Sequence, residues 1–432
     1  MPRTETRTGG RPATTGVIAG QGALSVGNPS SPTVKGFRWV RLTDVARLES
    51  GHTPSRSKPE YWDGDVPWIG IRDATGNHGR VIYKTKQWIT GEGLDNSSAR
   101  LLPTGTVCLS RTASVGYVVA MGVPMATSQD FVNWVCGPEI SPAYLRYLLL
   151  SEQETVRRFA HGSTHQTVYF PEAKAFHVCL PERSEQEAIA KVLGALDDKI
   201  ALNERHAETA LELAGCLYEN ASVAHGRWSE LALGDTAKWF SGGTPRTSEP
   251  SYWGGDIPWI SAASLKTPWL YESERSVTEL GAQNGTRLVP EGSILFVVRG
   301  MSLTTEFRVG FAQREVAFGQ DCKALIPHRG IDSATLFLAI RAQSAAILGM
   351  VDLAGHGTGR LVTERVANLR VRLPQGDDAA EFAARVGALM ARAVAVKNEN
   401  RTLADLRDTL LPQLLSGRLR VKDAVRTVEE VV

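Results

Sequence analysis

The sequence predicts an α+β fold with two homologous, strand-rich domains. These domains are separated by two long antiparallel helices that form a coiled coil, with pseudo-two-fold symmetry. Two observations carry this prediction. The stretch 51–69 returns as 242–260, 191 positions later, with twelve of its nineteen residues unchanged. After each copy, the hydrophobic pattern changes from short apolar runs to a long four-three spacing, which is typical of a paired helix.

The repeat extends beyond this block and marks a duplicated domain. Further matches are Gln129-Asp130 with Gln320-Asp321, and Leu180-Pro181 with Leu373-Pro374. The second match is two residues further apart than the first, as surface loops of unequal length would produce. A period near 190 residues is too long for a solenoid repeat. Two copies of one domain on one chain therefore predict two similar binding surfaces.

Within each copy, short apolar runs are broken by Gly, Pro, Asn and Asp, which indicates strands joined by turns. One helix is expected in each copy, near 141–160 and near 333–351. The predicted segments are an N-terminal extension (1–35), a first domain (36–181), a first long helix (182–224), a second domain (225–375), a second long helix (376–418) and a C-terminal tail (419–432). Because the extension is rich in Gly, Thr, Ser and Pro, we expect it to be disordered, with a DNA-contacting arm as the alternative.

The four-three spacing of apolar or small residues predicts one coiled-coil seam after each copy. The first seam contains Ile189, Leu193, Leu196, Ile200, Asn203, Ala207, Ala210, Ala214 and Leu217, and the second contains Phe382, Val386, Leu389, Ala393, Val396, Asn400 and Leu403. Two such seams should pair, and the alanines should let the helices approach closely. The asparagine in each seam is expected either to fix the register at a cost in stability or to face a wet, frayed stretch.

Composition narrows the class of protein. The 432 residues are 42% hydrophobic and 22% charged, as in soluble globular proteins, and with a net charge of +2 any nucleic-acid surface would have to be locally basic. The five cysteines are dispersed without a CxxC pair, which favours a reducing, cytoplasmic location and argues against a disulfide framework or a cysteine zinc site. No apolar run reaches the roughly 18 residues that a membrane span needs.

Three motifs resemble one known family, the specificity subunit of type I restriction-modification systems. The first is LPERSEQEAIAKVLGALDDKI at 180–200, which is similar to the family's entry into its first long helix. The second is LADLRDTLLPQLLSGRLRV at 403–421, which is similar to the end of its second helix. The third is the repeated GxTP…YW…PWI block, which resembles the start of its target recognition domains. One departure is that the second helix lacks a counterpart of Glu185-Gln186, which puts the capping or docking function of that pair in doubt for the second half.

The resemblance implies a function in DNA recognition. Each domain would recognise one half of a two-part target in double-stranded DNA, and the helices would set the gap and dock two methyltransferase (modification) subunits. Those subunits would bring S-adenosylmethionine and flip the target adenine. A restriction subunit with ATP- and Mg-dependent translocase and nuclease activity would join them. No membrane partner is implied.

Catalytic signatures are not found in the sequence, which favours a non-catalytic subunit. There is no NPPY or DPPY string, no P-loop, no HExxH and no GxSxG, and the histidines lack metal-ligand spacing. The Gly-rich stretch 355–359 has a counterpart at 161–164, so a feature of the repeated domain explains it better than a cofactor loop. Two alternatives remain: a self-contained methyltransferase or nuclease, and a protein scaffold built on a coiled coil.

Candidate DNA-binding residues are polar or basic side chains in Gly-punctuated loops at equivalent places in the two copies. In the first copy they are Arg72, Asp73, Lys84, Lys86, Arg111, Thr112, Gln129, His165 and Gln166. In the second they are Ser261, Ser264, Lys266, Arg299, Thr304, Arg308, Gln320, His356 and Arg360.

Comparison of the two copies sorts these candidates. Residues that are the same in both, such as Gln129 and Gln320, favour a structural or phosphate-positioning function, and the four repeated tryptophans favour the core. Residues that differ are better candidates for base discrimination. Arg72-Asp73 against Ala263-Ser264 is the clearest case.

Overall fold

The fold consists of two compact units, each holding one copy of the repeated domain together with parts of both long helices. The computed structural model describes residues 17–20, 22–162, 166–223, 227–353 and 357–431. The first unit comprises the chain up to Ile200 together with Thr402–Val432, and the second comprises Ala201–Arg401.

The first unit contains a five-stranded sheet, whose strand order is Ala46–Ser50, Phe131–Cys136, Val107–Ser110, Val118–Met121 and Val81–Ile82. Its other strands are Ile18–Ala19, Leu24–Val26, Arg38–Arg41, Trp62–Ile69, Gln87–Ile89, Ala126–Thr127 and Phe176–Leu180. Its short helices are Leu42–Val45, Pro59–Tyr61, Ile71–Gly76, Gly91–Asp95, Pro142–Ser151, Gln153–Phe159 and Phe170–Lys174. Only the last pair in the sheet, 81–82 with 118–121, is parallel.

The second unit repeats this sheet, with the strand order Ala237–Ser241, Cys322–Pro327, Ile294–Val297, Val309–Ala312 and Trp269–Leu270. Its other strands are Trp228–Ala232, Trp253–Ile260, Ser276–Val277, Leu288–Val289, Arg299–Gly300, Val316–Phe318, Asp352–Leu353, Gly359–Arg360 and Arg370–Pro374. Its short helices are Leu233–Asp235, Pro250–Tyr252, Glu279–Gln283, Met301–Thr304, Ser333–Ala342, Ser344–Leu348 and Thr363–Ala367. Again only the last pair is parallel. The shared strand order confirms the α+β duplication.

The prediction of disorder for 1–35 is wrong for the part that the structure describes. Leu24–Val26 pairs antiparallel with Phe176–Leu180, and Leu24 and Val26 are fully buried. The buried Glu152 accepts a hydrogen bond of 2.5 Å from the backbone N–H of Ala23. The segment is ordered because it gains apolar burial and a strand partner about 150 residues away. Residues 1–16 lie outside the described part.

The helix predicted near 141–160 is two helices, because the chain turns at Glu152 between Pro142–Ser151 and Gln153–Phe159. The helix predicted near 333–351 is divided in the same way, at Gln343. None of the helices in the described ranges combines the length and the apolar character needed to cross a membrane.

The two long helices run from Arg183 to Val223 and from Asp377 to Leu415. In the second unit they pack antiparallel. Ala207 and Ala210 of the first helix share a buried cluster with Ala393 and Val396 of the second. Further along the first helix the contact is with an earlier residue of the second. Tyr218, near the end of one helix, contacts Phe382, near the start of the other, with ring centroids 6.4 Å apart. The small alanine side chains allow this close approach.

In the first unit, the helix segments carrying the two end motifs meet. Asp197, in the first motif, accepts a hydrogen bond of 2.9 Å from Nη1 of Arg407, in the second motif. The Tyr147 hydroxyl donates a bond of 2.6 Å to the same carboxylate. The second long helix ends shortly before Gly417, whose φ of 70° lies in the left-handed region that favours glycine. A further helix, Val421–Val431, follows.

Asn203 and Asn400 are both buried, with exposed fractions of 1% and 9%. This excludes the alternative in which each faces a wet stretch. Within the described residues, Nδ2 of Asn203 has no hydrogen-bond partner. A buried amide group left without a hydrogen bond is costly, so Asn203 lowers the stability of the seam. The register function of the two asparagines stays a prediction.

Gln186, in the first motif, attaches the first long helix to its domain. Its Oε1 accepts a hydrogen bond of 2.9 Å from the backbone N–H of Ser141, and its Nε2 donates to the carbonyls of Glu139 and Pro181, both at 3.0 Å. In the second unit Asp332 occupies the position of Ser141 and caps its own helix, through a bond of 2.7 Å from the N–H of Thr335. The second copy therefore caps this helix with its own N-cap side chain, whereas the side chain of Ser141 makes no such bond.

Candidate nucleic-acid interface

The candidate interface of the first copy lies where several strands end together. The strands 62–69 and 126–127 pair in parallel, so their carboxyl ends lie side by side. We call this end of the strands, with the loops that follow it, the edge of the first copy. The N–H of Ser128, just after the strand 126–127, donates to the carbonyl of Ile69 at 3.0 Å. The N–H of Arg111, which follows the strand 107–110, donates to the carbonyl of Asp130 at 2.7 Å. The loops that begin at 70, 111 and 128 are thus held in contact.

A threonine–glutamine pair recurs at this edge in both copies. The Thr53 hydroxyl donates to Oε1 of Gln129 at 2.5 Å, and Thr244 makes the same bond to Gln320. Both glutamine side chains are exposed. The repeated bond supports the structural interpretation of these residues, since it orients the same loop in each domain.

The repeated tryptophans also form a fixed frame. Trp62 and Trp68 meet edge to face with ring centroids 5.3 Å apart, and Trp253 and Trp259 do so at 5.4 Å. Every indole N–H in the set donates to a backbone carbonyl, at 3.0–3.1 Å. Trp68 and Trp259 are buried and their partners half-buried. Their geometry fits the predicted core function.

Asp73 was the clearest predicted specificity residue, and the structure gives it a structural function instead. It is 4% exposed, and its carboxylate accepts hydrogen bonds from the N–H of Gly70 at 2.9 Å and of Lys86 at 2.8 Å. At the equivalent place in the second copy, Oγ of Ser264 accepts from the N–H of Ser261 at 2.8 Å. The two residues differ in type but make the same cap, so their difference does not indicate base discrimination.

The remaining basic candidates differ in whether they form an ion pair with a carboxylate. Arg72, Lys84 and Lys86 are exposed. In the second copy, Lys266 forms an ion pair of 2.9 Å with Glu274, and Arg308 is paired with Glu306. Ion-paired side chains at the surface have to exchange partners before they can contact a phosphate.

Arg111 lies at the centre of the first edge. Its Nε donates to the carbonyl of Gln129 at 3.0 Å, and its guanidinium stacks 5.1 Å from the ring of Phe170. Partial burial lowers the pKa of Arg111, while the neighbouring Asp130 raises it. The group stays cationic at neutral pH, because the ordinary arginine pKa lies so far above 7.

The two copies differ in side-chain chemistry where two loop segments pair with each other. In the first copy Thr112 pairs with Thr167, and their hydroxyl oxygens are 2.9 Å apart. In the second copy Arg299 pairs with Arg360, and both side chains are exposed. The positions correspond because Val168 N–H donates to the carbonyl of residue 111 just as Leu361 N–H donates to that of residue 298.

Sequence comparison missed this correspondence because the loops differ in length. Thr112 and Arg299 are 187 positions apart, whereas Thr167 and Arg360 are 193 apart. Thr167 was not predicted at all, and only its pairing with Thr112 identifies it. Gln166, next to Thr167 in the chain, and Thr304, five residues after Arg299, are both exposed. His165 and His356 lie outside the described residues.

In the part of the chain that the structure describes, no group of three or more His, Cys, Asp or Glu side chains is arranged to hold a metal ion. The side chains at the two edges can donate hydrogen bonds and carry positive charge. Those are the interactions through which proteins contact phosphates and base edges. The architecture is therefore that of a tandem recognition protein, with one polar edge per domain.

Comparison with known proteins places this architecture in a family. The family model described as "Type I restriction modification DNA specificity domain" matches residues 35–213 and 226–393, so the chain belongs to that family. The MjaIX specificity subunit of Methanocaldococcus jannaschii, a type I restriction enzyme subunit, is 25% identical over 406 residues, covering 89% of this chain and 93% of the relative. The EcoR124I/EcoR124II specificity subunit of Escherichia coli is 28% identical over 155 residues, covering 35% and 38%.

Solved structures support the same fold. The crystal structure of the S subunit of a type I restriction-modification system from M. genitalium superimposes with a TM-score of 0.53 at 18% identity. The match covers 88% of this chain and 96% of that one. The relatives are named as specificity subunits, in agreement with the resemblance found in the sequence motifs.

Proposed function

We propose that this chain is the DNA-recognition subunit of a type I restriction-modification complex, in which each copy contacts one half of a two-part target. The observation that carries the proposal is the contrast between Thr112–Thr167 and Arg299–Arg360 on otherwise equivalent frames. Arginine favours guanine through paired hydrogen bonds, whereas threonine contacts several bases and the thymine methyl group. Two domains with one frame and different side chains are suited to two different half-sites.

Electrostatics favours an anionic or acceptor-rich ligand at Arg299 and Arg360 in the second copy. Arg299 and Arg360 are opposite each other on adjacent strands, and like charges in that position repel. Asp352 lies opposite Arg360 on the other neighbouring strand, but it forms its ion pair with Arg365, at 3.1 Å. Within the described residues, neither Arg299 nor Arg360 has a carboxylate partner, so a ligand that accepts hydrogen bonds would relieve the repulsion.

Burial and pairing reduce the set of DNA-binding residues that we propose. Asp73, Ser261 and Ser264 are removed because they cap their own loops. Lys266 and Arg308 are removed because each already forms an ion pair. The set retained is Arg72, Lys84, Lys86, Arg111, Thr112, Gln129, Gln166, Arg299, Thr304, Gln320 and Arg360. Within it, Thr112, Arg299 and Arg360 are the proposed base-contacting members.

The long helices are proposed to set the gap between half-sites. They contain 41 and 39 residues, and at 1.5 Å per residue each is about 60 Å long. Removing one heptad from each helix would shorten the pair by about 10 Å, or roughly three base pairs, while keeping the seams in register. We expect the gap to shrink and both half-sites to stay the same.

The partners and cofactors are proposed from the family. Two modification subunits would dock on the chain and supply S-adenosylmethionine, and restriction subunits would supply the ATP- and Mg-dependent activities. This chain would itself perform no covalent chemistry. A test is whether the purified chain alone methylates DNA, since such activity would support the self-contained enzyme instead.

The decisive experiment changes one recognition edge and maps the modified sequence. The double substitution Arg299→Thr and Arg360→Thr gives the second copy the side chains of the first, and modification-sensitive sequencing of the host genome reads the result. We expect a change in one half-site only. The matched control is Lys266→Thr with Arg308→Thr, which removes two ion-paired charges from the same domain.

An exchange of residues 36–181 for the equivalent domain of another specificity subunit should change the other half-site. A change in both half-sites from either alteration would contradict the proposal that each domain contacts its own half. A protein scaffold would enrich no two-part sequence from a random duplex pool, so that outcome would reject DNA recognition itself.

A further inference from the structure

The two copies build the same cation–tryptophan stack from arginines at different chain positions. In the first copy, the guanidinium of Arg56 lies 3.7 Å from the centroid of Trp62 and 5.2 Å from that of Trp68. In the second, the guanidinium of Arg275 lies 3.6 Å from Trp253 and 5.4 Å from Trp259. The charge therefore occupies the same place on the same ring pair in each domain.

The two arginines are not equivalent in sequence. Position 56 corresponds to Thr247 in the second copy, at the 191-residue spacing. Arg275 corresponds instead to Gln87, because Gln87 pairs with Trp68 across the strands and the N–H of Trp259 donates to the carbonyl of Arg275. In the first copy, Oε1 of Gln87 accepts a bond of 3.0 Å from Arg56. The two arginines therefore come from non-equivalent positions of the chain, but their guanidinium groups occupy the same location in the two domains.

Neither guanidinium is neutralised. Both side chains are exposed, and within the described residues neither forms an ion pair with a carboxylate. The stack orients each guanidinium by contact with an aromatic face. One N–H of Arg56 donates to Gln87, and the other N–H groups remain available as donors. An exposed, oriented and unpaired guanidinium is suited to a phosphate oxygen.

We propose that Arg56 and Arg275 are equivalent positioning residues that each contact a phosphate of the DNA backbone. This inference rests on the proposed function. It assigns to these arginines the contact that both domains share, whatever bases they recognise, because phosphates carry no sequence information. That would explain why the charge is kept in both copies while the paired loop residues differ. The alternative is that each arginine only covers its tryptophan.

The test is the salt dependence of DNA binding by the full chain carrying Arg56→Gln, Arg275→Gln or both. Losing one phosphate contact lowers the slope of log K against log salt concentration by about 0.9 in magnitude. We expect each single variant to lose about 0.9, the double variant about 1.8, and the loss to be equal on target and random duplexes. Arg38→Gln is the matched control, since Arg38 is exposed but already paired with Glu139 at 2.8 Å.

The conservative variants Arg56→Lys and Arg275→Lys should restore the slope, since they keep the charge. A slope equal to that of the unsubstituted chain in folded Gln variants would overturn the inference, as would a loss limited to one sequence. These results are distinct from failure of the proposed function, which would appear as unsubstituted protein that selects no two-part sequence.

Discussion

Replacing Gln186 by alanine should release the first long helix from its domain. The side chain is 1% exposed and makes three hydrogen bonds, one from the N–H of Ser141 and two to the carbonyls of Glu139 and Pro181. Each buried bond contributes about 1 kcal/mol net. Within the described residues, the three backbone groups left behind have no other hydrogen-bond partner. The expected cost is therefore about 3 kcal/mol.

Hydrogen exchange measured by mass spectrometry can detect this loss locally, which avoids fitting one unfolding transition to a chain with two units. A cost of about 3 kcal/mol corresponds to roughly 100-fold faster exchange in peptides covering the helix start and Ser141. Peptides from Ala201–Arg401 serve as an internal reference. The matched control is Glu187→Ala, which removes only an exposed ion pair of 2.7 Å with Arg183 and should change exchange less than a few-fold.

Unchanged protection in a folded Gln186→Ala protein would refute this reasoning. It would mean that water replaces the three bonds without loss, and that the first motif has another function in attaching the helix. Equal changes in the Glu187→Ala control would likewise show that helix propensity, and not the hydrogen bonds, determines the effect.

Three further predictions concern packing, backbone conformation and thiols. Asn203→Leu should raise the free energy of unfolding by about 1–3 kcal/mol, because the buried amide nitrogen has no hydrogen-bond partner among the residues that the structure describes. A lower thermal midpoint would contradict this. Gly254→Ala should cost about 1–2 kcal/mol, since φ is 79° although a Cβ would meet no atom within 4 Å. Asp63→Ala should cost less, because Asp63 already places a non-glycine side chain at a φ of 60°. An equal loss of stability in denaturant melts of both variants would be evidence against a purely conformational penalty. At pH 8, maleimide should label the exposed Cys216 well before the buried Cys322, whose pKa burial raises to about 12, and equal labelling rates would show that the second unit opens readily.

Much of the fold follows from patterns that are local in the chain. The duplication is visible because the repeated block keeps its spacing, and the seams are visible because a helix returns each side chain to the same face after three or four residues. The Thr–Gln pairs and the tryptophan frame follow from the same register. The strand at Leu24–Val26 was missed because its order depends on a partner at 176–180, which no local pattern reveals.

The sequence by itself determined that there are two homologous domains, where the paired helices lie in the chain, and which family the motifs resemble. Only the tertiary structure decided which residues meet at each edge. It placed Thr112 opposite Thr167 and Arg299 opposite Arg360, and it showed that Asp73 accepts a hydrogen bond from the backbone of its own loop. The physical reason is that strand pairing joins residues far apart in the chain, and loops of unequal length shift the numbering between copies. Side-chain identity therefore becomes informative only once the backbone has set its neighbours.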